Sequence, residues 1–122
     1  MEEDRLKGVY YFVDKDDAIP VKEFINSLIE KEQAKVYAYI TELKKQGNNL
    51  RRPMADYLED GIYELRPKDN RIFYFFYLCD RAVLVHAIKK HVKKILESDL
   101  RLCLKRKIEI EACGTNIERL EL

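Results

Sequence analysis

The chain has 122 residues, 47% hydrophobic and 37% charged, with 4 Gly, 3 Pro and a net charge of +1. That is material for one domain with a real core and too little for two, and the hydrophobic content excludes an intrinsically disordered chain. The longest uncharged apolar run spans 72–79, far short of the roughly 20 residues a membrane helix needs, so no bilayer span is expected. The start, Met1-Glu2-Glu3-Asp4, is acidic where a secretory signal is basic. Cys79, Cys103 and Cys113 share no metal-ligand spacing and read as reduced thiols, so a cytoplasmic location is expected.

The small net charge conceals a division. Residues 1–43 carry a balance of −4, residues 44–107 one of +8, and residues 108–122 one of −3. A basic middle can present a cationic face to a polyanion, or its Lys and Arg can simply solvate helix and strand surfaces.

In chain order, 9–13 is a dense apolar stretch of strand-favouring residues, ended by Asp14-Lys15-Asp16-Asp17. Asp16 or Asp17 can cap the helix predicted next, with Pro20 in its first turn, where the missing N–H has no partner to lose. Val21, Phe24, Ile25, Leu28 and Ile29 recur at helical spacing and make one apolar face. A second helix is predicted over 31–46, with Val36, Ile40 and Leu43 inward and Gly47-Asn48-Asn49 as its stop. With almost no linker between them, the two predict a helical hairpin.

The second half changes period. Strands predicted over 61–66, 71–79 and 82–88 are joined by turns at Pro67-Lys68-Asp69-Asn70 and Asp80-Arg81, which makes an antiparallel meander. The run Ile72-Phe73-Tyr74-Phe75-Phe76-Tyr77 is apolar throughout, which predicts a central strand covered on both faces. The basic stretch Lys89-Lys90-His91-Val92-Lys93-Lys94 follows. A last helix is then predicted from Ser98 to just before Gly114, with Leu100, Cys103, Leu104 and Ile108 inward. The tail 115–122 has weak signals and is expected to fray. The prediction is one α+β domain over 1–122, its helices packed on an antiparallel sheet.

No phosphate-cradling glycine loop, HExxH, CxxC or GxSxG occurs, and His86 and His91 straddle a strand end; no metal or cofactor is expected. What remains is a set of cations. Arg66 ends the first meander strand, Arg71 opens the second across a short turn, and Lys90 and His91 follow the third. With the second strand central, all four meet at one rim. Such a cluster suits a phosphate that gains negative charge in a transition state. The same arginines also read as ordinary structure, Arg66 paired to a neighbouring carboxylate and Arg71 covering its turn. Arg51 and Arg52 before Pro53, with Lys89, Lys93 and Lys94, are candidates for RNA phosphate contact or for solvated surface. His86, between Val85 and Ala87, reads as packed into the core.

The strings Leu58-Glu59-Asp60-Gly61-Ile62-Tyr63-Glu64-Leu65-Arg66, then Arg71-Ile72-Phe73-Tyr74-Phe75, then Val83-Leu84-Val85-His86-Ala87-Ile88-Lys89-Lys90 resemble the HigB-like, phage-associated branch of the RelE/ParE toxin superfamily. The resemblance runs over residues 8–112. It implies a RelE-like fold and a type II toxin–antitoxin toxin that cuts mRNA on the ribosome without metal. The reaction it implies is attack of a ribose 2′-oxygen on the adjacent phosphate. The implied partners are the ribosome, mRNA and an adjacently encoded antitoxin of helix-turn-helix type. Arg71 matches the family's phosphate-stabilising arginine, Arg66 the arginine of its Tyr-Glu-Leu-Arg motif, and Lys90 the first of a lysine pair. His91 stands where the second lysine is usual, and a histidine there could donate a proton. Glu64 stands where RelE-like members carry a catalytic lysine, and no tyrosine follows Tyr77 to match their C-terminal one. Two other functions stay open: a non-enzymatic inhibitor of DNA gyrase, as in the ParE branch, and a phage-derived protein that has lost toxicity.

Overall fold

The structure is a computed structural model that describes residues 3–90, 95 and 97–122. Strand β1 (Gly8–Phe12) is the apolar stretch expected. Beyond it Asp14 shapes the turn, its Oδ1 accepting the backbone N–H of Asp16 at 2.8 Å and of Ala18 at 2.9 Å. Asp17 takes a left-handed φ of 64°, so neither Asp16 nor Asp17 caps the helix. Helix α1 (Pro20–Asn26) instead starts after Ile19 with no side-chain cap. It buries Val21 and Ile25 completely, but it stops at Asn26, and Ile29 is left 65% exposed rather than inward.

Helix α2 (Glu30–Gln46) has Glu30 and Glu32 in its first turn and Lys44 and Lys45 in its last, each sign matched to the helix dipole. It buries Val36, Ile40 and Leu43, as the spacing predicts. Gly47, at φ 54°, ends it and opens a 3-10 turn over Gly47–Asn49. A positive φ at a helix stop is where glycine is least strained.

Strands β2 (Ala55–Glu59), β3 (Ile62–Leu65), β4 (Asn70–Tyr77), β5 (Arg81–Lys89) and β6 (Ile117–Arg119) join β1 in one open sheet, ordered β2-β3-β4-β5-β1-β6. Strands β3, β4 and β5 are the expected meander. Ile72, Phe73, Tyr74 and Phe75 of β4 show no exposure at all, which is what an apolar run between two neighbours and two helical layers requires.

Three features depart from expectation. Strand β2 pairs antiparallel with β3 across Asp60-Gly61, whose φ values of 51° and 83° fit a tight hairpin turn. Strand β1 lies parallel beside β5, Gly8 opposite Arg81, so the sheet is mostly rather than wholly antiparallel. The tail does not fray: β6 pairs with β1, the Leu120 N–H reaches the Val9 carbonyl at 2.8 Å, and Leu120 is buried.

Helices α1 and α2 cover one face of the sheet and α3 (Glu97–Cys113) the other. The inward row of α3 is Cys103, Arg106 and Ile110; Ile108 falls between those positions and is 64% exposed, contrary to expectation. Burial pushes the Cys103 thiol up to about 12. Arg106 marks an irregularity in the sheet. Phe73 faces His86 but Tyr74 faces Leu84, so Val85 is an extra residue, and its carbonyl accepts from Arg106 Nη1 at 2.7 Å.

Candidate functional site

The site forms where β3 ends, β4 begins and β5 ends. Residues directly opposite in a sheet share a face, so register decides which side chains meet. Glu64 of β3 faces Phe73 of β4, which faces His86 of β5. Arg71, two residues before Phe73, faces Ile88. Glu64, Arg71 and His86 therefore lie together on the α3 face, at the end of β4 next to the Arg66–Asn70 turn.

Glu64 is a charged residue in a buried strand, 3% exposed, and it is not left alone. Its Oε2 accepts from Arg66 Nη1 at 2.7 Å, and its Oε1 lies 3.7 Å from Arg71 Nε. The second distance is an ion pair but too long for a hydrogen bond. Accordingly both Glu64 Oε1 and Arg71 Nε are buried without a hydrogen-bond partner. Arg71 Nη1 donates to the carbonyls of Lys68 at 2.7 Å and Asn70 at 2.8 Å, which fixes the guanidinium over the turn. Burial first, and the Arg66 cation second, hold the Arg71 guanidinium below its ordinary pKa, with Glu64 and Asp69 opposing. An arginine so placed stays charged. Two guanidiniums against one carboxylate leave this rim with a net positive charge.

Not all of the remaining candidates reach this rim. Lys90 reaches the same rim through its backbone, its N–H bonded to the Asp69 carbonyl at 2.7 Å. Arg52 comes to the rim from the sheet edge: it pairs with Asp56 at 2.9 Å, and Asp56 faces Glu64. Arg51 is exposed and donates to the carbonyls of Asn48 and Leu50. Lys89 is on the other face, opposite Asn70, and both side chains bond Glu32 Oε1 of α2, at 3.2 and 3.1 Å. Those bonds, Asn70 first and Lys89 second, hold the Glu32 carboxyl below its usual range. His91, Lys93 and Lys94 lie outside the described residues.

One further contact adds a residue to the site. His86, read as core packing, is half-buried and bonded, its Nε2 2.8 Å from Asp99 Oδ1 in the first turn of α3. Its ring lies over Phe73, centroids 5.6 Å apart and planes 17° from parallel. A histidine flanked by Val85 and Ala87 on a strand, followed by an acid opening the next helix, was the available signal. Among the described residues, no three His, Cys, Asp or Glu side chains gather as a metal site, and no helix is long and apolar enough to cross a membrane.

The family described as Phage derived protein Gp49-like (DUF891) matches residues 23–107. No curated protein matches the chain. The matched span runs from within α1 to within α3, takes in Glu64, Arg66, Arg71, His86, Lys90 and Asp99, and covers well over half of the sequence. The chain belongs to the Gp49-like family of phage-derived proteins, a toxin-like family often found in toxin–antitoxin systems.

Proposed function

We propose that the chain is the toxin of a type II toxin–antitoxin system, of the HigB-like branch, and that it cuts mRNA on the ribosome without metal. The observation that carries this reading is the pair of guanidiniums, Arg66 and Arg71, gathered on one buried carboxylate where β3 ends and β4 begins. Arg66 keeps 19% of its side chain in solvent and Arg71 9%. Arg66 thus meets a phosphate first, while Arg71, fixed by two carbonyls, supplies charge from behind it. Donors that need no reorganisation are what a phosphate gaining negative charge requires. In the reaction a ribose 2′-oxygen attacks the adjacent phosphorus, the bond to the 5′-oxygen breaks, and a cyclic phosphate and a 5′-hydroxyl result. Lys90 adds charge at the same rim, and His91 after it is a candidate proton donor. Arg51, Arg52, Lys89, Lys93 and Lys94 are candidate RNA contacts, and Arg52 is the best supported of those described, since it reaches the rim.

Membership of a toxin-like family supports the reading. Its partners are then a neighbouring helix-turn-helix antitoxin, the ribosome and mRNA, and its place of action the cytoplasm. One observation favours a non-enzymatic inhibitor instead: both arginines already have protein partners, so they also serve the fold. Induced expression with mapping of mRNA 5′ ends separates the two. New 5′ ends within translated regions, abolished by the co-expressed neighbour, are expected. Growth arrest without new ends favours the inhibitor, and unimpaired growth at high expression overturns both.

A further inference from the structure

Among the described residues, the cations of the rim supply charge, but none of them is a base that could take the proton of the attacking hydroxyl. Arg66 and Arg71 stay protonated at neutral pH, and Glu64 is held by both of them. We propose that His86, oriented by Asp99, is the general base of this site and takes the proton of the attacking ribose hydroxyl. This rests on the ribonuclease reading and assigns it a catalytic residue.

Three observations carry it. First, His86 shares the α3 face with Glu64 and Arg71, because Phe73 lies opposite both Glu64 and His86 while Arg71 faces Ile88. Two residues along a strand is about 7 Å, a distance that an arginine side chain and one phosphodiester can bridge. Second, the contact with Asp99 fixes the tautomer. An ionised carboxylate only accepts, so in the neutral imidazole this contact puts the hydrogen on Nε2 and leaves the lone pair on Nδ1. Among the described residues nothing bonds Nδ1. Third, the imidazole is clamped between Phe73 on one side and Asp99 at its edge, yet 17% of its side chain remains in solvent. A histidine held by a carboxylate through one nitrogen, with the other unbonded among the described residues, is the arrangement of an oriented base.

In the step proposed, the 2′-hydroxyl proton passes to His86 Nδ1 as the oxygen–phosphorus bond forms. The electron pair of the breaking bond goes to the 5′-oxygen, which takes a proton from an acid, His91 or water, and His86 later returns its own to water. Asp99 stays ionised and balances the imidazolium. Among the described residues, the charged or titratable groups on the surrounding elements are Glu64 on β3, Arg71 on β4, and Asp99, Cys103 and Arg106 on α3.

The test is cleavage of ribosome-bound mRNA against pH by the full chain and by His86→Gln and Asp99→Asn. Glutamine retains a donor toward Asp99 but cannot take up a proton, so folding is expected to survive. General-base catalysis contributes about 10²–10⁴-fold, so His86→Gln is expected to lose that much. It is also expected to lose the acid limb on which the parent's rate rises with pH. Asp99→Asn, with its amide able to donate, favours the other tautomer and is expected to lose rate while keeping the fold. Parental rates in both variants overturn the proposal. So does a slowed His86→Gln that keeps the parental acid limb, since that marks a structural role. A parent that cuts no mRNA in the 5′-end assay overturns the ribonuclease reading itself, and the proposal falls with it.

Discussion

The two faces of β4 use one strand for opposite ends. Toward α1 and α2, Ile72 and Tyr74 join Ile40, Leu43, Leu65 and Leu84 in a cluster with no exposure. Toward α3, Phe73 and Phe75 are as well buried, but the row runs on into Arg71, with Glu64 and His86 beside it. Two helices seal the first face. A single helix crosses the second, and its buried apolar residues are Cys103 and Ile110. Where helical cover runs out, the chain pairs charges instead of burying area. The first face is held by apolar burial, at about 25 cal/mol per Å². The rim is held by mutual compensation, which fails when one partner is removed.

Arg71→Ala is the strongest way to break that contrast. Position 71, at the mouth of a strand, reads from sequence as a site where truncation spares the fold. The structure changes that expectation, because the side chain is 9% exposed, ties two turn carbonyls and pairs with Glu64. Removing one partner of a buried ion pair costs about 3–5 kcal/mol, and the low end applies because Glu64 keeps Arg66. A denaturant titration measures this. Arg71→Lys separates chemistry from folding, since it keeps the charge but not the fixed fork. It is expected to fold and to lose about 10²–10³ in cleavage rate. A folded, fully active Arg71→Lys would take Arg71 out of the mechanism.

A smaller effect sharpens the boundary between the faces. Asn70 and Lys89 sit at the same rim but on the α2 side, where both bond Glu32. The Glu32 carboxyl is held below its usual range, so its contribution is complete above the unfolded value of about 4.3 and is lost as pH falls through the lower folded value. Glu32→Gln should therefore melt somewhat below the parent at pH 6, and the gap should close as pH falls through the lowered folded value. A gap that persists into acid would mean that the glutamate acts by packing.

The fold was legible wherever a pattern is local. The α2 face of Val36, Ile40 and Leu43 and the unbroken run of β4 could be read directly. Strand β2 was hidden because an edge strand such as Ala55–Glu59 keeps polar residues and only half an apolar pattern, although Asp60-Gly61 was a hairpin signal. The parallel seating of β1 beside β5 joins residues from opposite halves of the chain, which no window of sequence contains. Arg66 and Arg71 could be brought to one rim by strand order alone. The part played by Glu64 between them, and the bond from His86 to Asp99, depend on register and on where α3 starts.

The smallest predicted effect lies on the sealed face. Tyr74 is fully buried, and its hydroxyl has no hydrogen-bond partner. Burial holds that phenol well above its ordinary pKa. Burying an unpaired hydroxyl costs about 1–3 kcal/mol, and phenylalanine keeps the ring without that cost. The ring itself is engaged, stacked on Tyr63 at 5.4 Å and edge-on to Phe76 at 5.7 Å, contacts that phenylalanine retains. Tyr74→Phe is therefore expected to leave stability unchanged or raise it by about 1 kcal/mol, with cleavage unaffected. The matching change on the other face, Glu64→Gln, also removes a single feature but strips Arg66 and Arg71 of their counter-charge, and it is expected to destabilise. Thermal melts of the two variants side by side make the comparison. If Tyr74→Phe proves the more damaging, the sealed face is held by a polar contact as well, and the division between the faces is wrong.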